Sequence, residues 1–376
     1  MTTATMEFAR NATLEDLSKM LIEQQGRKVD VVAPAAAIQM REGVLRLDGV
    51  DPVIDDDGVT TAEGLYLPTG ICDEGLAEKL GIPLAYMRRL RNDHTPLLDH
   101  NVNGWLARDQ RSFLIRCFRT DEGPGIARAF LSNRFAAYDN LDALLAALDG
   151  VREAGVQVNI SGCDLTERRM TVRIECPEVE ALAPTLLKGY RSPFTPGDGA
   201  HSGYDEPPVV FAGFVLSNSE TGGGAYTITP RVVVKVCKNG LTMTKDAMRA
   251  VHLGGTLDVG TVAWSAETQT RAVALVRSKT VDAVRSFLSP EYLTSVVGAM
   301  EQRAGAEVKD VDHVKTITKG LSFTEEQTDG ILGFFIRGGQ MTTGGVANAA
   351  TAYAQTVEDP EQAYALEAGA ARLLVG

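Results

Sequence analysis

The chain has 376 residues, is 44% hydrophobic and 23% charged, and carries a formal net charge of −12. That composition excludes a wholly disordered chain, and the acidic balance argues against a nonspecific polyanion binder. No run approaches the roughly 20 apolar residues of a membrane span, and the opening MTTATMEFARNATLEDL lacks the apolar core and cleavage site of a secretory signal. A protein of the cytoplasm, with no membrane partner and two or three domains at roughly 150 residues each, is expected.

In chain order, Thr13 to Gln25 reads as a helix, with Asp16 three residues after Thr13 in a near capping box and Leu17, Met20 and Leu21 at helical spacing. Val29 to Leu47 alternates and turns at Glu42-Gly43, a hairpin. Asp51 to Thr61 is an acidic loop whose contiguous DDDG lacks the alternating ligands of an EF-hand, so no calcium site is expected.

Asp73 to Leu90 has the spacing of a helix-turn-helix. Asp73 caps a helix with Leu76 and Leu80 inside and the small Ala77 at the crossing, Gly81 turns, and Pro83 opens a second helix with Met87 and Leu90 inside. That second helix is expected to expose Arg88, Arg89, Arg91 and Asn92, types suited to phosphate and base-edge contacts. A plain helix pair with its arginines in water has the same spacing.

FLIRCFR and IARAFLSNRF read as strands around the turn DEGPG, Asn140 to Leu148 as a helix, and VQVNIS and MTVRIEC as strands. Pro184 to Pro208 is a long Pro/Gly/Ser-rich loop holding His201, Asp205 and Glu206, and such loops are functional or mobile. Val209–Leu216 and Tyr226–Val236 form the clearest hairpin, with Gly222-Gly223-Gly224 as a flexible tip that lacks the spacing of a P-loop. Arg231 and Lys235 share one strand face, with Lys238 just beyond, and Val232, Val234 and Val236 share the other. The basic face is expected to meet an anionic backbone. Val281 to Glu307 and the remainder read as helices, broken at Gly338-Gly339 and Gly344-Gly345.

The expected fold is α+β: an antiparallel sheet core with a long hairpin, a helix-turn-helix-like N-terminal segment and a helical C-terminal region. Its divisions are 1–103, 104–255 and 256–376. The charge is uneven. Residues 41–80 hold three basic and ten acidic residues, 81–134 nine and five, and 226–285 nine and four. A phosphate-binding face inside an acidic protein is consistent with that distribution. The five cysteines (Cys72, Cys117, Cys163, Cys176, Cys237) and five histidines are scattered without close ligand pairs, so neither metal nor cofactor is expected. No GxSxG, HExxH or strand-following GxGxxG occurs, and the catalytic residues, if any, are unknown.

Gly213 to Leu241 (GFVLSNSETGGGAYTITPRVVVKVCKNGL) resembles the phage/plasmid-like members of domain-of-unknown-function family 932 at Asn218, Ser219, Arg231, Cys237, Asn239, Gly240 and Leu241. Gly344 to Gln355 is similar to that family's C-terminal helix, without its usual tryptophan, and Asn101 to Leu141 is also similar. The resemblance implies a mobile-element origin and a bacterial host, and no known active site. The expected function is nucleic-acid binding, single-stranded or duplex, by a homo-oligomeric annealing or recombination accessory factor. The alternatives are a non-catalytic host-modulating or structural phage protein, or an enzyme with its site under the 184–208 loop. The hairpin's edge and apolar face are expected to contribute to the subunit interface.

Overall fold

The computed structural model describes residues 8–55, 58–135, 138–190, 194, 208–235, 240–250 and 266–375. The fold is α+β, as expected, with a helical C-terminal region. Its first sheet has six strands in the order Lys28–Pro34, Ser112–Phe118, Gly125–Ser132, Gly64–Pro68, Val44–Leu47 and Ile38–Arg41. All its pairs are antiparallel except Gly64–Pro68 with Gly125–Ser132. The hairpin at Glu42-Gly43 closes as its sequence indicates, with φ of 52° and 74° at the two turn residues, the left-handed pair of a type I′ turn. Helices Gly70–Leu80, Leu84–Asp93 and Thr95–Leu106 pack Cys72, Leu76, Met87 and Val102 into this sheet's core.

The second sheet is antiparallel, in the order Ala9–Ala12, Asn159–Leu165, Met170–Leu182, Val209–Asn218, Tyr226–Val234 and Gly240–Thr242, with Met248–Ala250 also on Tyr226–Val234. One face (Val172, Ile174, Phe214, Leu216, Ile228, Val232, Val234) joins a core with helices Leu14–Arg27, Asn140–Ala154, Ala266–Phe287 and Pro290–Ala304. Thr13 caps the first of these helices, accepting from the Asp16 N–H at 3.1 Å. The chain ends in helices Val311–Gly320, Glu325–Gly338, Thr343–Ala354 and Pro360–Val375. Gly339, in the left-handed region with φ of 68°, stops a helix as expected, but Gly344 and Gly345 do not: both are buried in the first turn of Thr343–Ala354.

Three further expectations are corrected. The boundary at residue 103 cuts the helix Thr95–Leu106, and strands Ser112–Phe118 and Gly125–Ser132 complete the first sheet rather than the second. Among the described residues the long hairpin has no free edge: Val209–Asn218 pairs with Met170–Leu182, and Tyr226–Val234 is bordered by Gly240–Thr242 and Met248–Ala250. The backbone groups along those edges are therefore paired within the chain. The hairpin tip is clamped rather than free. Ser219, Glu220 and Thr221 are buried, and a Cβ on Gly223 or Gly224 would stand 2.4 Å from Arg168 Cγ or Arg169 Nη2. Gly223 and Gly224 make room for the two arginines, and Gly222 takes a left-handed φ of 85° beside Leu131.

The tip also joins the two sheets through a buried ion network. Arg116, fully buried, reaches Asp139 at 2.6 Å, Asp30 at 2.8 Å and the Glu220 carbonyl at 3.1 Å. Arg128 pairs with Glu220 and lies 4.1 Å from the centroid of the Phe118 ring. Glu220 Oε1 also accepts the Asn140 N–H at 2.5 Å, and Lys28 reaches Asp139 at 2.5 Å. Burial raises the Asp139 pKa, but the charges of Arg116 and Lys28 outweigh it and hold the carboxyl at about 2. Burial likewise opposes the charge on Arg116, and Asp30, Asp139 and Glu220 more than offset it.

Candidate nucleic-acid interface

The helix-turn-helix-like pair forms at Gly70–Leu80 and Leu84–Asp93, but Asp73 lies inside the first helix, paired with Arg91, rather than capping it. Thr69 caps Gly70–Leu80 by accepting the Cys72 N–H at 3.2 Å, and Gly81, at φ of 67°, turns the chain into Leu84–Asp93. Its arginines part company. Arg91 is 3% exposed, donates to both Asp73 oxygens at 2.5 and 2.6 Å and to the Gly43 carbonyl at 2.7 Å. It is a strut between the helices and the first hairpin, which corrects the expectation that it faces solvent. Burial raises the Asp73 pKa against the lowering pull of Arg91.

Arg88 and Arg89 are on the outside, their side chains 56% and 80% exposed. Arg88 donates to Glu74 Oε1 at 3.0 Å, and Arg89 approaches Asp93 at 3.6 Å. The other oxygen of Glu74 accepts from Arg168 Nη2 at 2.5 Å, so one carboxylate stands between two arginines. Exposed Tyr86 precedes them on the same helix. Beside them an open groove of about 430 Å³ is lined by Glu74, Ala77, Glu78 and residues 81–84.

Arg168 comes from the turn joining Asn159–Leu165 to Met170–Leu182. Thr166 fixes that turn, its hydroxyl accepting the Arg169 N–H at 3.0 Å and its N–H donating to the Arg169 carbonyl at 2.9 Å. Arg169 Nη2 then donates to the Gly223 carbonyl at 3.0 Å. Sequence reasoning did not single out Arg168 or Arg169. The available signal was a doubled arginine in one hairpin turn and a triglycine in another, two features that only the sheet brings together.

The sheet residues do not form the expected basic face. Arg231 is 4% exposed and donates to Glu367 Oε1 at 2.7 Å, with Glu175 3.9 Å away. Thr242 holds the second Glu367 oxygen at 3.0 Å, and the Tyr364 and Thr229 hydroxyls lie 3.4 Å apart. Helix Pro360–Val375 thus closes over Arg231. Alternation shows which residues share a face, not what covers it. Lys235 is exposed at the strand end and remains available, its N–H donating to the Val209 carbonyl at 3.2 Å. Lys238 lies outside the described residues, as do His201, Asp205 and Glu206 of the long loop.

The residues that carry the family 932 resemblance are structural where they are described. Asn218 Nδ2 donates to the Tyr138 carbonyl at 2.7 Å and to Asn140 Oδ1 at 2.9 Å, and Ser219 Oγ accepts the Gly223 N–H at 2.8 Å. Asn348 donates to the Leu186 carbonyl at 3.1 Å. Cys237 and Asn239 lie outside the described residues. Cys72, Cys117, Cys163 and Cys176 are buried free thiols, and burial raises the pKa of each. Among the described residues no group of three or more His, Cys, Asp or Glu is placed to hold a metal, and no helix is long and apolar enough to cross a membrane. No family model, curated protein or solved structure matches the chain.

Proposed function

We propose that this chain is a phage- or plasmid-type nucleic-acid-binding protein, an accessory to strand annealing or recombination, and that it grips phosphates with Arg88, Arg89 and Arg168. The observation carrying the reading is the convergence of arginines from two distant segments on Glu74, at an exposed helix of helix-turn-helix spacing. Two guanidiniums sharing one carboxylate retain donors for a phosphate, and arginine presents them in a planar fork. The motif resemblance to family 932 supports the mobile-element setting. The net charge of −12 confines binding to a local patch and makes it sensitive to salt.

Replacing Arg88, Arg89 and Arg168 together by alanine tests this reading. Each phosphate contact contributes about 0.9 to the slope of log affinity against log salt on duplex and about 0.7 on single strands. The triple variant is expected to lose about two units of slope on single strands, or nearly three on duplex, and to bind weakly at low salt, measured by fluorescence anisotropy. An unchanged slope in a folded triple variant would place binding elsewhere. The three side chains are at least one-third exposed, so folding should be little changed.

A further inference from the structure

The outer side of the same helical unit carries aromatic groups among its cations. Tyr86 is 42% exposed and Trp105 49%. On Thr95–Leu106 the buried Leu98, Val102 and Leu106 face inward, which leaves Leu97, Asn101 and Trp105, four residues apart, along the outer stripe. Asn103 exchanges two hydrogen bonds with the backbone of Met40, at 2.7 and 2.8 Å, and fixes that orientation.

The connections lead the helix turns that carry the two rings toward the end of Gly70–Leu80. Arg111, just past the third helix, donates to the Lys79 carbonyl at 2.7 Å and pins that helix's end beside the end of Gly70–Leu80. The second helix starts from this point, with Tyr86 in its first turn, and it meets the third helix at His94, at the far end. Exposed Arg89 and Arg108 flank the rings along the chain.

We infer that the ligand of this patch is a single-stranded nucleic acid, whose bases stack on Tyr86 and Trp105 while its phosphates meet the neighbouring arginines. The inference rests on the function proposed above. Every base has a π-face, so exposed rings interleaved with cations suit an unpaired strand, whose bases are free to stack, better than a duplex, whose bases are already stacked. The occupant is set by charge and ring chemistry together: a polyanion without bases has no use for the rings.

The test uses the full chain with oligo-dT, oligo-U and heparin, a polyanion without bases. Tyr86→Ala and Trp105→Ala should each lower affinity for the oligonucleotides about tenfold relative to heparin, as loss of one stacked base does. Trp105→Phe should retain most of that affinity. Fluorescence gives a second readout. Of the two tryptophans, Trp105 and Trp264, the signal assigned to Trp105 by difference from Trp105→Phe should be quenched by oligonucleotide and not by heparin. Equal loss with oligo-dT and oligo-U indicates a backbone-independent stacking site, and a loss confined to one shows that the sugar or the thymine methyl is read as well. If the alanine variants keep their oligonucleotide-to-heparin ratio while the arginine variants lose both ligands, stacking is rejected and phosphate binding stands. If no polyanion binds the wild type, both are rejected.

Discussion

Replacing Arg116 by alanine should lower the free energy of unfolding by about 3–5 kcal/mol, the cost of removing one partner from a buried ion pair. The side chain is fully buried, and its loss strands Asp139 and Asp30 beside the junction of the two sheets. Urea denaturation measures the change, and a loss below about 1 kcal/mol would contradict the network's role. Acid provides a second readout. A carboxyl held at about 2 in the folded protein contributes stability that is complete above the ordinary aspartate pKa of about 3.9 and is lost as pH falls toward 2. Without Arg116 the folded pKa of Asp139 rises, so the variant should lose less stability than the wild type between about pH 5 and pH 2.

Replacing Val232 and Val234 together by lysine should abolish folding rather than separate subunits. The two side chains are 1% and 0% exposed, on an interior strand facing Ala212 and Val210 across the pair. Two uncompensated ammonium groups in that core cost several kcal/mol each, against a total stability of roughly 5–15 kcal/mol for a typical domain. Circular dichroism of the variant should show loss of the cooperative transition. A folded variant with a smaller assembly mass by light scattering would instead place these valines at a subunit interface.

Local elements were legible because local rules determine them. The cap at Thr13, the left-handed Glu42-Gly43 turn and the Gly81 break follow from backbone preferences at single positions. The alternation of Val232 and Val234 assigned the core face of the hairpin correctly. What the sequence could not show is what lies across from a residue. Arg91 and Arg231 look like surface cations in the chain, and each is buried because a carboxylate far away in sequence, Asp73 or Glu367, meets it. Arg168 was missed for the converse reason: its significance depends on Glu74, 94 residues away. The triglycine read as flexibility, whereas its missing side chains make room for Arg168 and Arg169. Periodicity carries information over a few residues, and the candidate site is assembled from contacts at much longer range.

The most direct test of nucleic-acid binding is a salt titration of the wild-type chain with a labelled oligonucleotide, followed by anisotropy from about 50 to about 200 mM salt. The account predicts micromolar or tighter binding at the low end and a linear fall of log affinity with log salt, with a slope of at least about −2 from three phosphate-contacting arginines. Absence of binding at the lowest salt, or an affinity that does not change with salt, would contradict it.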